Sequence, residues 1–194
     1  MAFSSAADLL RFLTTVSAKN VPLAIRLRTY SSGRDLHRKV SLVDAIMATC
    51  ASEPLSSSYL IDTEEFIGGR IGYANPCREL LKEAEDVFGS QALVSAIISL
   101  GTDVGYPQDD NTSLNDILSR VATDAEKTHQ DLDHQMGHLG FYYRFSPALH
   151  TKPTRLAEME TRTQSYISST RSIDECVRRL RLTTGILPLQ QLSK

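Results

Sequence analysis

An α/β fold is predicted for these 194 residues by three observations. The stretch "FIGGRIGYANP" (Phe66 to Pro76) runs from an apolar strand end into Gly68-Gly69, then Gly72, then Asn75-Pro76. That is the pattern of a strand, a sharp turn and a helix start. Behind it, Leu80, Leu81, Ala84, Val87 and Phe88 recur as one stripe over 76–88, and Gly89 stands where a helix stops. Finally, "ALVSAIISL" is apolar at nearly every position, as expected of a strand buried on both faces of a parallel sheet. Together they predict a βαβ unit. Residues 93–100 would lie parallel to the strand ending near Ile67, joined right-handedly through the helix.

The remaining elements follow in order. Leu9, Leu10, Phe12, Leu13 and Val16 predict an amphipathic helix over about residues 4–18. In "VPLAIRLRTY", Leu23, Ile25 and Leu27 alternate with Ala24, Arg26 and Arg28, which predicts a half-buried strand. Ser41 is a good N-cap for "SLVDAIMATCAS", and Asp44 completes a short capping box. "SSYLIDTEEFI" reads as a hairpin leading into the glycine turn. Asn75 is a good N-cap and Pro76 a good first helical residue. From Thr112 a long helix is expected to carry Leu114, Ile117, Leu118, Val121, Ala125, Leu132 and Met136 near one face. "GFYYRF" is a strand, and helices over about 154–168 and 172–183 close the chain. The expectation is one domain over 1–194, its α/β sheet portion in 1–110 and a mainly helical portion in 111–194.

Composition narrows the function. With 41% hydrophobic and 23% charged residues the chain can bury a core, and a net charge of −2 argues against nucleic acid as a general partner. Charge is uneven: residues 1–40 carry seven Lys/Arg against two acids, and 113–138 carry two against five. The plain interpretation is a solvated surface; the sharper one is a basic face for anionic lipid headgroups. Cys50, Cys77 and Cys176 form no C-x-x-C pair and read as buried or free thiols in a reducing compartment. The first twenty residues lack a signal-peptide core, and no apolar run reaches about 18 residues. A cytoplasmic location is expected, with peripheral membrane contact as the alternative.

Two motifs suggest chemistry and are set aside. His134 and His138 stand at i, i+4, the spacing of a zinc protease, with Asp131 one turn earlier. The sequence is H-Q-M-G-H, without the glutamate base, so no metal is expected there. No G-x-S-x-G elbow occurs, since Ser95 and Ser99 lack the flanking glycines, and no phosphate-binding glycine loop occurs either. No cofactor is expected.

The run "FIGGRIGYANPCRELLKEAEDVFG…ALVSAIISLGTDVG" resembles the second half of a patatin-like phospholipase domain of the fungal type. In that family a strand ends in an Asp-Gly-Gly or Asp-Gly-Ala turn. A Gly-Tyr-Asn-Asn-Pro-like segment follows, then a helix with alternating acids and a strand ending Ser-(Ile/Leu)-Gly-Thr-Gly. Gly69, Gly72, Tyr73, Asn75, Pro76, Glu79, Glu83, Ala84, Ser99, Gly101 and Thr102 fall on those positions. Ala45, Ala48, Thr49, Ala51 and Pro54 keep the outline of the preceding family helix, and "GFYYRFS" and "TTGILPLQQL" resemble the family's tail. The resemblance covers about 22–192 and is most specific over 66–102. It implies a three-layer fold with a mainly parallel central sheet, helices on both faces and a helical C-terminal part. It also implies lipid acyl ester hydrolysis by a Ser-Asp dyad.

The departures matter as much. The family's serine elbow and oxyanion loop belong to a first half that these residues do not match. Aligning Tyr73 and Asn75-Pro76 on the family's motif puts Gly68 on the catalytic aspartate and Arg70 on the second glycine. The turn residues Gly68, Gly69, Gly72, Asn75 and Pro76 remain, but the acid does not. Asp62, six residues upstream, is a weak substitute that would need the hairpin rearranged. The expectation is a truncated or degenerate lipid acyl hydrolase, inactive alone; the alternative is a non-catalytic lipid- or protein-binding α/β module. An open sheet edge would favour self-association or a missing N-terminal half as partner.

Overall fold

A computed structural model describes residues 12–17, 23–28, 30, 40–51, 58–101, 103–104, 113, 114, 118, 121, 124–149, 156–181 and 187–192. The fold is mixed α/β, and it divides into two compact units, Met1–Glu79 and Leu80–Lys194.

The first unit is built on four strands: β1 (Phe12–Ser17), β2 (Ala24–Arg28), β3 (Tyr59–Ile61) and β4 (Glu64–Gly68). Their order is β2-β1-β4-β3, and every pairing is antiparallel. β1 pairs Phe12 with Arg28 and Val16 with Ala24 on one side, and Thr15 with Gly68 on the other. Two expectations are corrected here. Residues 12–17 are strand rather than helix. Three consecutive β-branched residues, Thr14-Thr15-Val16, disfavour helix, and the strand is paired along both edges. The predicted helix residues before Phe12 lie outside the described residues. The strand ending near Ile67 pairs antiparallel with β1 and β3, not in parallel with 93–100.

Helix α1 (Leu42–Cys50) begins as its cap residue dictates, with the Ser41 side chain accepting from the Asp44 N–H at 3.1 Å. It packs Ala45 and Ala48 against Leu27, Ile61 and Phe66, flanked by Ile25, Val40 and Tyr59. Phe66 and Ala48 are fully buried. Small residues on the helix let the sheet approach closely, and the large side chain comes from β4.

After β4 the chain turns through Arg70–Tyr73. Ile71 (φ −78°, ψ 108°) and Gly72 (φ 81°, ψ −15°) have the two central conformations of a type II turn, whose second position demands positive φ. Helix α2 (Cys77–Phe88) follows, its Cys77 N–H donating to Asn75 Oδ1 at 3.4 Å. Gly89 ends it at φ +82°, its N–H donating to the Glu85 carbonyl at 2.9 Å. The buried positions are Cys77, Glu79, Leu81 and Glu83, while Leu80 and Phe88 of the expected stripe are 41% and 44% exposed.

The second unit contains β5 (Leu93–Val94), β6 (Ile97–Leu100), β7 (Asp103–Val104), β8 (Tyr142–Phe145), β9 (Ala148–Leu149) and β10 (Leu187–Pro188). β6 runs parallel to β8, pairing Ile97 with Tyr142 and Ser99 with Arg144, and β7 runs parallel to β9 from Asp103–Ala148 onward. Both pairings keep one offset, so β7 and β9 continue the register of β6 and β8. β5 instead pairs antiparallel with β10, and Leu189 N–H donates to the Ala92 carbonyl at 2.9 Å. The apolar run 92–100 is thus two strands. β6 is buried on one face only: Ile97 and Ser99 are buried, and Leu100 is 77% exposed. Among the described residues, parallel pairing is confined to β6–β8 and β7–β9, and the first unit's sheet is antiparallel.

Helix α3 (Ala125–Met136) starts afresh at Asp124, whose carboxylate accepts from the Glu126 and Lys127 N–H groups. The cap, in extended conformation, separates α3 from the helical positions Leu114, Leu118 and Val121, which are exposed. One long helix from Thr112 with those residues on a buried face is therefore corrected. Leu132 and Met136 are buried as expected. A 3-10 turn (Gly137–Leu139) and Gly140 at φ +66° lead into β8. Helices α4 (Leu156–Ser169) and α5 (Ser172–Leu180) follow. α5 is tied to the entry of β8 by Arg179, whose guanidinium lies 4.5 Å over the Phe141 ring and donates to the Leu139 carbonyl at 3.3 Å. No helix among the described residues is long and apolar enough to cross a membrane.

Candidate functional site

The glycine turn is the natural place to look for a site, and its geometry depends on what occupies the space beside Gly68. The Gly68 N–H donates to the Ala51 carbonyl at 2.6 Å. A Cβ on Gly68 would lie 2.7 Å from the Thr49 carbonyl oxygen and 3.1 Å from that of Ala51. Those are backbone atoms at the C-terminal end of α1, so they cannot swing aside. They also carry the negative end of the helix dipole. A carboxylate at position 68 would meet both a steric wall and carbonyl oxygens of its own sign. Gly72 has nothing within 4 Å of its missing Cβ, so its constraint is conformational only.

Asp62 is exposed, at φ 54° in the tight β3–β4 connection, where Asp tolerates left-handed backbone better than most residues. It stands at the opposite end of β4 from Gly68, separated by roughly 14 Å of extended strand. Gly69 and Asn75 are buried beside the turn, and Pro76 is exposed.

Two arrangements in the first unit were not apparent in the sequence. Arg26 of β2 and Glu79 of α2 form an ion pair at 3.5 Å, with 17% and 7% of their side chains exposed. The alternation that predicted β2 identified Arg26 as outward-facing, and only the position of the helix supplies its acid. The second is a chain of hydroxyls around one carboxylate: Ser41 Oγ donates to Asp44 Oδ2 at 2.5 Å and Tyr59 Oη donates to Asp44 Oδ1 at 2.9 Å. These bonds, Ser41's first, hold the Asp44 carboxyl below its ordinary range, and the Asp44 bond raises the Tyr59 phenol. Ser41 and Asp44 have the composition of a Ser-Asp dyad. Ser41 Oγ, however, also accepts the Asp44 N–H in its role as helix cap, and no strained elbow presents it.

In the second unit, His134 lies in α3 and His138 in the following 3-10 turn, so the α-helical register that would align them ends at Met136. Both are exposed, as is Asp131, and no group of three His, Cys, Asp or Glu side chains converges among the described residues. Cys77 and Cys176 are buried thiols and Cys50 is exposed, none of them in a disulfide. Burial pushes the Cys176 thiol up, away from the reactive thiolate. Tyr143 is raised as well, by burial first and by the Glu175 carboxylate second, and its hydroxyl donates to the Gly140 carbonyl at 2.9 Å.

Compared with family models, curated proteins and solved structures, the chain matches none of them.

Proposed function

We propose that this chain is a degenerate patatin-like lipid acyl hydrolase that has lost its chemistry and acts as a non-catalytic α/β module. One observation carries this proposal. The position that aligns with the family's catalytic aspartate is Gly68, and the space for its side chain is filled by the Thr49 and Ala51 carbonyls. A missing acid could be a recent loss, but a site rebuilt around its absence is not one substitution from activity. The type II turn at Ile71-Gly72 and the Asn75 cap support the kinship, since they give physical work to the residues that carry the resemblance. The kinship rests on segment 66–102. A mainly parallel three-layer sheet belongs to the same proposal, with the antiparallel first sheet weighing against its full retention.

Hydrolysis needs a nucleophile, a base and oxyanion donors together, and losing one donor alone costs about 10²–10³ in rate. The full chain should therefore show no turnover above a buffer blank on a short-chain nitrophenyl ester or on phospholipid vesicles. A serine-directed fluorophosphonate should leave no covalent label. Turnover abolished by Asp62→Asn or by Ser41→Ala would refute the proposal and identify the base or nucleophile.

A further inference from the structure

We infer that the Nε–Nη2 edge of the Arg144 guanidinium is a binding site for an oxyanion, a carboxylate or phosphate group. The site lies within the second unit, near the end of the parallel ladder of β6 and β8, and it does not depend on kinship with lipid hydrolases. Ser99 and Arg144 are register partners, and Nη1 of Arg144 donates to the buried Ser99 Oγ at 2.7 Å. That bond fixes the guanidinium on one side. On the other side Nε is buried and has no hydrogen-bond partner among the described residues. No ion pair joins Arg144 to a carboxylate among the described residues.

The covalent geometry of arginine makes this informative. Nε–H and one N–H of Nη2 point the same way, forming the fork that grips two oxygens of a carboxylate or phosphate. The Ser99 bond uses Nη1 and leaves that fork intact. Arginine does not shed its proton in proteins, so a half-buried guanidinium without a counter-charge bears an uncompensated desolvation cost. An oxyanion on the fork removes it and satisfies Nε. Gly101 makes room for the group: a Cβ there would lie 2.4 Å from Nη2 and 2.8 Å from Cζ. The glycine that follows β6 is therefore a seat for the guanidinium, and its backbone N–H is already committed to the Phe145 carbonyl at 2.9 Å.

The test follows the arginine Nε–Hε resonances of the ¹⁵N-labelled full chain during addition of sodium phosphate or sodium acetate, against sodium chloride at matched ionic strength. The Arg144 signal should move saturably with phosphate or acetate and not with chloride. Phosphate should also raise the melting temperature of the wild type. Arg144→Lys keeps the charge and loses the fork, so binding should weaken about tenfold or more. Gly101→Ala displaces the guanidinium and should do the same. No movement of the Arg144 signal, an equal response to chloride, or undiminished binding by Arg144→Lys overturns the inference. If Arg144→Lys does not fold, the wild-type comparison of phosphate with chloride still decides. Sedimentation with phosphatidic acid or phosphatidylcholine vesicles separates the sources. Capture by phosphatidic acid alone, lost in Arg144→Lys, puts the phosphate on a lipid. A response to free phosphate without vesicle capture puts it on a soluble molecule.

Discussion

Gly68 and Gly101 both stand at the end of a strand, and both leave out a Cβ because something else is there. At Gly68 the occupant is backbone, the Thr49 and Ala51 carbonyls at the end of α1. At Gly101 it is the tip of a long side chain, the Arg144 guanidinium. The difference separates fold from function. A glycine walled in by backbone is fixed by the packing of helix on sheet, and no rotamer change relieves a new side chain. A glycine beneath a guanidinium instead sets the position of a charged group. In the first unit the space beside the turn is filled by backbone, and in the second a guanidinium has a buried Nε with no hydrogen-bond partner among the described residues.

The largest expected effect is at the closed end. Gly68→Ala should destabilise the protein by about 3 kcal/mol, the upper part of what overpacking costs, because neither carbonyl can yield cheaply. Gly68→Asp should cost more, since it adds a carboxylate against carbonyl oxygens. Urea unfolding of the three proteins measures both. If Gly68→Ala unfolds at the wild-type midpoint, α1 does not abut β4 as described, and the contrast with Gly101 is lost.

Breaking the Arg26–Glu79 pair comes next. Glu79→Ala should cost about 1.5–3 kcal/mol, the worth of a hydrogen-bonded charge in a mostly buried site. A second change, Arg26→Met, should recover part of it by removing the cation that Glu79 had paired. Strictly additive losses in the double variant would show that the two side chains are not coupled.

What could be read from the sequence follows the same line between local and distant causes. Ser41, Asn75 and Gly89 act within four residues of themselves, so the α1 cap, the start of α2 and its end could be read directly. The type II turn needed only Gly72. By contrast, Phe12–Ser17 has an apolar spacing compatible with a helix and becomes a strand because β2 and β4 pair with it along both edges. Leu100 reads as core and is exposed, because the described ladder of β6 buries only alternate side chains. The Ser99–Arg144 bond spans 45 positions and Arg26–Glu79 joins two elements, so neither charge could be assigned a role before the chain was folded.

Gly72 offers a finer comparison with Gly68, since nothing lies within 4 Å of its missing Cβ. Gly72→Ala should therefore cost only the left-handed backbone penalty, about 1–2 kcal/mol. Gly72→Asn should cost less than Gly72→Ala, because Asn tolerates this region better. Thermal melts that rank Gly72→Ala level with Gly68→Ala would mean that turn conformation, not the helix wall, governs both.

The smallest effect is electrostatic and lies on the exposed side of α1. Ser41 and Tyr59 hydroxyls lower the Asp44 carboxyl below 3.8, so this carboxylate contributes stability that is complete above its unfolded value and is lost as pH falls through the folded one. The same Asp44 bond raises Tyr59 above 10.0. For the phenol the sign is opposite: its contribution is complete below the unfolded value and disappears as pH rises through the folded one. Tyr59→Phe removes the shared bond and leaves Ser41 in place. The difference in urea midpoint between wild type and Tyr59→Phe should therefore be level across neutral pH, shrink as the solution is taken below 3.8, and shrink again above 10.0. No difference at any pH would mean that the Tyr59 ring stabilises the fold by packing against the Leu27–Phe66 core rather than through Asp44. The first unit would then be held at that edge by apolar contact alone.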